Sequence, residues 1–186
     1  MKNREMAEKA SAYPYILIAF HELLSEFLFE KITIQMISDR AGVNRSTFYL
    51  HFHDKYELYD VLTEEMLLKL LSNYMGGSLD DHNPEEAAFQ STLSICQHIK
   101  SNVAFYKQRF RNLNFIQTLS AQLYKALFAV FQDETFATFT SYGTIGYWAE
   151  WIQADCNKEA EEVAASLKNM ALNYNWLSGQ RSGTIV

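Results

Sequence analysis

Residues Ile32–Lys55 read ITIQMISDRAGVNRSTFYLHFHDK, two short stretches of helical periodicity on either side of a glycine. The first predicts a helix that starts at Thr33, whose hydroxyl can cap exposed backbone N–H groups, and that stacks Ile34, Ile37 and Ala41 on one face. Gly42 ends it: lacking a Cβ, it takes the positive φ of a sharp turn, and Val43 can then drop into the core. Asn44 is suited to cap the second helix. There Phe48 and Phe52 lie four apart on one face, Ser46 and Leu50 point the opposite way, and Arg45, Thr47, Tyr49 and His51 flank the outer surface. Such a helix, anchored by two phenylalanines and presenting Arg, Ser, Thr, Tyr and His outward, suits the major groove of DNA, because these side chains donate to phosphates and base edges.

Within that set, Arg45 and Gln35 are the candidates for base reading. Arginine can grip guanine and glutamine can grip adenine through paired hydrogen bonds, each worth about 1–3 kcal/mol of discrimination. Thr33, Thr47 and Lys55 are candidate positioning contacts whose loss weakens all DNA sequences alike, and Tyr49 is placed for a phosphate. His51 has two open readings, a DNA contact or a packing role in the helical bundle.

The run Ile37, Ala41-Gly42-Val43, Ser46-Thr47-Phe48-Tyr49, His51-Phe52 and Lys55 resembles the DNA-binding signature of TetR/AcrR-type transcriptional regulators over roughly residues 13 to 60. One departure is visible: many members carry a glycine between the first two helices, where this chain reads Phe27-Leu28-Phe29-Glu30-Lys31. The resemblance implies an all-α fold with an N-terminal three-helix DNA-binding head, containing the helix-turn-helix, and a C-terminal helical ligand-binding and dimerisation bundle. It implies a dimeric, sequence-specific repressor controlled by a small-molecule effector. The alternative is a regulator or co-activator whose C-terminal domain binds a protein partner. Two reading helices related by a two-fold axis address a palindromic operator with half-sites about 34–36 Å apart, or more.

Composition fits this reading. The chain has 186 residues, 48% of them hydrophobic, with only two prolines and seven glycines, which favours long helices over a sheet. A net charge of −6 gives DNA binding no global support, and residues 1–74 hold 8 Lys+Arg against 11 Asp+Glu. The local field decides phosphate contact, and Lys31, Arg40, Arg45 and Lys55, with Lys2, Arg4 and Lys9 on an N-terminal arm, offer one basic surface. Binding is therefore expected to weaken steeply with salt.

The expected organisation is a helix-turn-helix domain at 1–56, a connecting helix and linker at 57–77, an effector-binding and dimerisation domain at 78–177, and a flexible tail at 178–186. Pro14 to Phe29 place Ile16, Ala19, Phe20, Leu23, Leu24 and Phe27 at helical spacing, and Asp54 can cap a longer helix to about Tyr74. The stretch around Gly76-Gly77-Ser78 and Asp80 to Pro84 reads as a loop. Beyond it, helices are expected near 84–100, 102–111, 114–132, 135–155 and 158–177, with joins at Asn102, Asn112, Asp133 and Asn157.

Aromatic residues crowd the second domain, and most fill a helical core on the plainest reading. The family resemblance adds a second: a pocket for a small apolar or aromatic effector, with Phe89, Cys96, Phe105, Tyr106, Phe110, Tyr124, Phe128 and Tyr147 as candidate lining residues. Gly143 and Gly146 lie three apart on one predicted helix, and Val163, Leu167 and Met170 share a face of the next. With Trp151 they are the candidate homodimer interface, the role these helices have in the resembling family; packing within one chain is the alternative.

Cys96 and Cys156 stand alone, without metal-ligand spacing or a disulfide framework; they read as small buried hydrophobes, with redox sensing as the minority reading. The sequence carries no Gly-rich phosphate loop, H-E-x-x-H, G-x-S-x-G or tuned carboxylate pair, so no enzymatic activity, metal or cofactor is expected. No signal peptide and no apolar run near the 18 or so residues that span a bilayer is present, so no membrane partner and a cytoplasmic location are expected.

Overall fold

The computed structural model describes residues 2–75 and 84–181, and every regular element among them is helical. The expected loop at 76–83 and the end of the expected tail, 182–186, lie outside the described residues. The contacts divide the chain into two compact units, Met1–Leu68 and Lys69–Val186, with the division falling inside the long fourth helix.

The first unit opens with α1 (Lys2–Glu26), which starts twelve residues before the apolar stripe and carries Pro14 inside it. Lys2 to Ala10 are mostly strong helix formers, and these extend the helix where the apolar pattern alone stops. Ile16, Phe20, Leu23 and Leu24 are buried against α2 (Ile34–Ala41) and α3 (Arg45–Tyr49). The α1–α2 corner manages without glycine through a 3-10 turn, Phe29–Lys31, in which the Lys31 and Ile32 N–H groups donate to the Leu28 and Phe29 carbonyls. Phe29 closes that corner by stacking on Tyr59, 4.6 Å between ring centres, and meeting Phe20 edge-on. The last helix of the unit, α4 (Lys55–Met75), is capped by Asp54, whose carboxylate accepts from the Tyr56 and Glu57 N–H groups.

In the second unit α5 (Pro84–Ser101) packs on α9 (Ala160–Arg181), and α7 (Leu113–Phe131) packs on α8 (Glu134–Gln153). The short α6 (Val103–Arg109) sits against α5 and α8. Asn112 and Asp133 cap α7 and α8 by accepting the Phe115 and Phe136 N–H groups. Asn102 makes a different contact: its amide donates to the His98 carbonyl, which ties the α5 end to the α6 start. Helix α9 runs to Arg181, so residues 178–181, expected in a loose tail, are helical. Among the described residues no helix is long and apolar enough to cross a membrane.

Candidate functional site

The reading unit is built from capped helix ends. Thr33 Oγ1 accepts the Met36 N–H at 3.2 Å and starts α2; Gly42 ends it at φ +67°. No atom lies within 4 Å of where a Cβ on Gly42 would stand, so the requirement for glycine there is conformational, about 1–2 kcal/mol for a residue with a side chain. The Val43 N–H donates to the Ser38 carbonyl and closes the turn. Asn44 Oδ1 then accepts the Thr47 N–H at 2.9 Å, and the Ser46 and Thr47 hydroxyls donate to the same oxygen. Phe48 and Phe52 are buried at 0% and 2% exposure, which fixes the rotation of α3. Arg45, Ser46, Tyr49 and Leu50 face solvent as a result, with Tyr49 and Leu50 half exposed at 50% and 55%.

Beyond the capping residues, Gln35, His51, Arg40 and Lys55 also have partners within the chain. Gln35 donates to Asp39 Oδ1 at 2.7 Å, one turn along α2. His51 is half-buried, its ring beside those of Tyr13 and Phe52, with Nε2 shielded from solvent, which favours the packing role. Arg40 grips both carboxylate oxygens of Glu26 at 2.8 and 2.9 Å and reaches Glu22 at 3.5 Å. That guanidinium holds the Glu26 carboxyl below its ordinary range. Lys55 departs furthest from expectation: its ammonium donates to the carbonyls of Phe29 (3.0 Å), Glu30 (3.3 Å) and Ile32 (2.8 Å) and lies 4.6 Å from the Phe29 ring centre. Three carbonyls and a ring face hold the charge against the corner, so Lys55 braces α4 on the 3-10 turn instead of standing free for a phosphate. The Lys31 and Arg45 side chains remain exposed, with no ion pair or hydrogen bond to a described residue.

Two features near α3 fall outside the sequence reading. The Tyr13 hydroxyl donates to Glu65 Oε1 at 3.4 Å and its ring stacks on Phe52, linking α1, the end of α3 and α4; burial, and then the Glu65 charge, raise its pKa. A surface depression of about 430 Å³ lies between α1 and the helix-turn-helix, lined by Ala12, Tyr15, Ala41, Gly42, Val43, Asn44 and Thr47. The one sequence signal for it is that Tyr15 lies off the apolar stripe of its helix.

In the second unit the contacts among the described residues place the eight pocket candidates in several groups. Phe105, Tyr106 and Phe110 form a buried string of edge-on rings that continues to Phe115, and the Tyr106 hydroxyl lies 3.0 Å from His98 Nε2. Cys96 is buried beside Trp148. Tyr124 and Phe128 stack together along α7, Phe89 lies under Lys168, and Tyr147 faces Lys158. Burial pushes the Cys96 thiol up to about 12 and the Cys156 thiol up to about 11, which keeps both protonated and disfavours a redox role. Of the dimer candidates, Trp151 and Val163 are buried in their own chain, and the Trp151 indole N–H donates to the Lys158 carbonyl at 3.2 Å. The Trp151 bond ties α8 to the loop before α9, and Val163 lies in α9, which packs on α5. Leu167 is half-buried, whereas Gly143, Gly146 and Met170 are exposed.

Comparison with known proteins agrees with this division. Residues 16–62 match the family described as bacterial regulatory proteins, tetR family, and residues 85–173 match the family described as transcriptional regulator C-terminal region. A search of curated proteins found no match. Among solved structures, the chain is similar to the dihydroxyacetone kinase operon activator DhaS (19% identity, TM-score 0.64, covering 87% of this chain and 94% of that one). It is also similar to a TetR/AcrR-family transcriptional regulator from Aquifex aeolicus VF5 (20%, 0.62, 84% and 95%). A third is NalD, the secondary repressor of the MexAB-OprM multidrug efflux pump in Pseudomonas aeruginosa (18%, 0.62, 89% and 96%). These identities speak for the fold, and the two family matches, one on each unit and together spanning most of the sequence, speak for the lineage: the chain belongs to the TetR/AcrR family of bacterial transcriptional regulators, which are DNA-binding proteins and not enzymes.

Proposed function

We propose that the protein is a dimeric, sequence-specific repressor that reads a palindromic operator through α3 and is released by a small apolar or aromatic effector bound within residues 78–177. The observation that carries the DNA reading is the rotation of α3: with Phe48 and Phe52 buried, Arg45, Ser46, Tyr49 and Leu50 form a continuous exposed rim. Arg45, exposed and with no ion pair to a described residue, is assigned to base reading, and Thr33, Ser46, Thr47 and Tyr49 to positioning on the backbone. Gln35 is a weaker base reader than its chemistry suggests, because contact with DNA competes with its bond to Asp39. His51 and Lys55 are left out of the reading set because both side chains are engaged inside the head.

Dimerisation rests on the exposed face of α8, where Phe139, Tyr142, Gly143 and Gly146 stand together, with Met170 exposed on α9. An effector that prefers one arrangement of the paired heads changes DNA affinity by its differential affinity for the two arrangements, typically about 1–3 kcal/mol. The test is selection of bound duplex from a random pool, followed by Arg45→Ala. The expected result is an enriched palindrome and a loss of about 1–3 kcal/mol of discrimination at one base per half-site; no enrichment at low salt overturns the reading. A reporter driven by the selected operator fixes the sign of regulation, since falling expression on adding the protein is what a repressor gives.

A further inference from the structure

The depression between α1 and the helix-turn-helix shares only Thr47 with the proposed reading set. Its walls are Ala12 and Tyr15 on one side and Ala41, Gly42, Val43, Asn44 and Thr47 on the other. Alanine and glycine leave the space open, and Tyr15 stands at its edge with 59% of its surface exposed. The Tyr15 side chain makes no hydrogen bond, ion pair or ring contact with any described residue, whereas the neighbouring Tyr13 uses both hydroxyl and ring inside the head. An exposed phenol with an uncommitted hydroxyl is the kind of side chain that serves an interface with one apolar and one wet side.

The surroundings narrow the occupant. Asn44 and Thr47 belong both to this depression and to the start of α3, so a strand seated along the reading helix continues across it. Among the described residues no charged side chain lines the space, and two head cations, Arg40 and Lys55, are held by Glu26 and by backbone carbonyls. Contacts from the described lining therefore fall to neutral donors, and tyrosine, threonine and asparagine are regular phosphate donors. We infer that the depression seats one backbone phosphodiester of the operator strand in each half-site, with the Tyr15 hydroxyl donating to a phosphate oxygen. The inference rests on the DNA reading above and adds to it a contact from α1.

The test uses the full chain and the selected operator duplex, with single phosphates replaced by uncharged methylphosphonates one position at a time. Tyr15→Phe removes only an exposed hydroxyl, and circular dichroism and the thermal midpoint check that the fold is kept. The expected result is about a tenfold weakening on matched and mismatched operators alike, as for loss of a hydrogen bond to a charged group. One methylphosphonate position per half-site weakens wild type similarly and leaves Tyr15→Phe unaffected. If Tyr15→Phe binds as wild type does, or if every methylphosphonate weakens both proteins equally, the assignment is overturned while the DNA reading stands. If wild type binds no duplex at all, the DNA reading fails and this assignment fails with it.

Discussion

Helix α3 is five residues long and α8 is twenty, and they hold their places by different means. A helix as short as α3 has little stability of its own, so it depends on the Asn44 cap, the Gly42 turn and the burial of Phe48 and Phe52. Helix α8 buries Phe136, Ala137, Ser141, Ile145, Trp148, Trp151 and Ile152 along its length, yet leaves Phe139 and Tyr142 exposed on the other side. Two anchors aim a small polar rim; many anchors fix a long rod that still presents an apolar face. The first arrangement suits contact with a polar, charged ligand, and the second suits burial against another protein surface.

The largest effect that sharpens this contrast is expected from Phe48→Ala. Losing a fully buried aromatic costs about 3–5 kcal/mol, read by urea unfolding, and operator binding should be lost with it. A cost below about 1 kcal/mol would mean that the cap and turn hold α3 without its anchors. Lys55→Met comes next. It keeps the aliphatic stem and removes the three carbonyl bonds, for an expected loss of about 1–3 kcal/mol, with the salt dependence of DNA binding unchanged. A salt slope lower by about one would return Lys55 to the phosphate contacts.

Acid titration gives a third test. The Glu57 and Tyr56 N–H groups hold the Asp54 pKa below its ordinary value, with a smaller contribution from His53. A carboxyl whose folded pKa is depressed contributes stability that is present above the unfolded value and is lost as pH falls through the folded one. The midpoint of the head should therefore begin to drop near the ordinary aspartate range, about 4, and continue below it. Asp54→Asn, a neutral cap, should flatten that arm; an unchanged acid profile would assign the loss to other carboxylates. The smallest effect on stability belongs to Phe139→Ser on α8. With 70% of the residue exposed, the chain's own stability should move by no more than about 0.5 kcal/mol, while sedimentation should show weaker self-association. Unchanged self-association would remove this face from the dimer.

The helix-turn-helix was legible because its determinants are local. Thr33, Gly42, Asn44, Phe48 and Phe52 act on backbone or core within a few residues of themselves, so type and spacing suffice. The bonds of Lys55 were not legible because its partners, Phe29, Glu30 and Ile32, lie 23–26 residues away in sequence, and no period connects them. The same holds for Arg40 with Glu26 and for the depression beneath Tyr15, which exists only where α1 meets the turn. In the second unit, α7 and α8 carry apolar residues on more than one side, so a buried Trp151 and an exposed Phe139 look alike in sequence.

By itself, the sequence determined the helical class, the caps, the turn and the inward face of α3, because hydrogen bonding and helical periodicity operate over three to four residues. Only the tertiary structure decided which cations are held inside the head, which aromatics are core and which surface is left for DNA or a second copy. Those outcomes depend on which distant side chains share a burial site, and the free energy of burial belongs to the assembled contact and not to either residue alone.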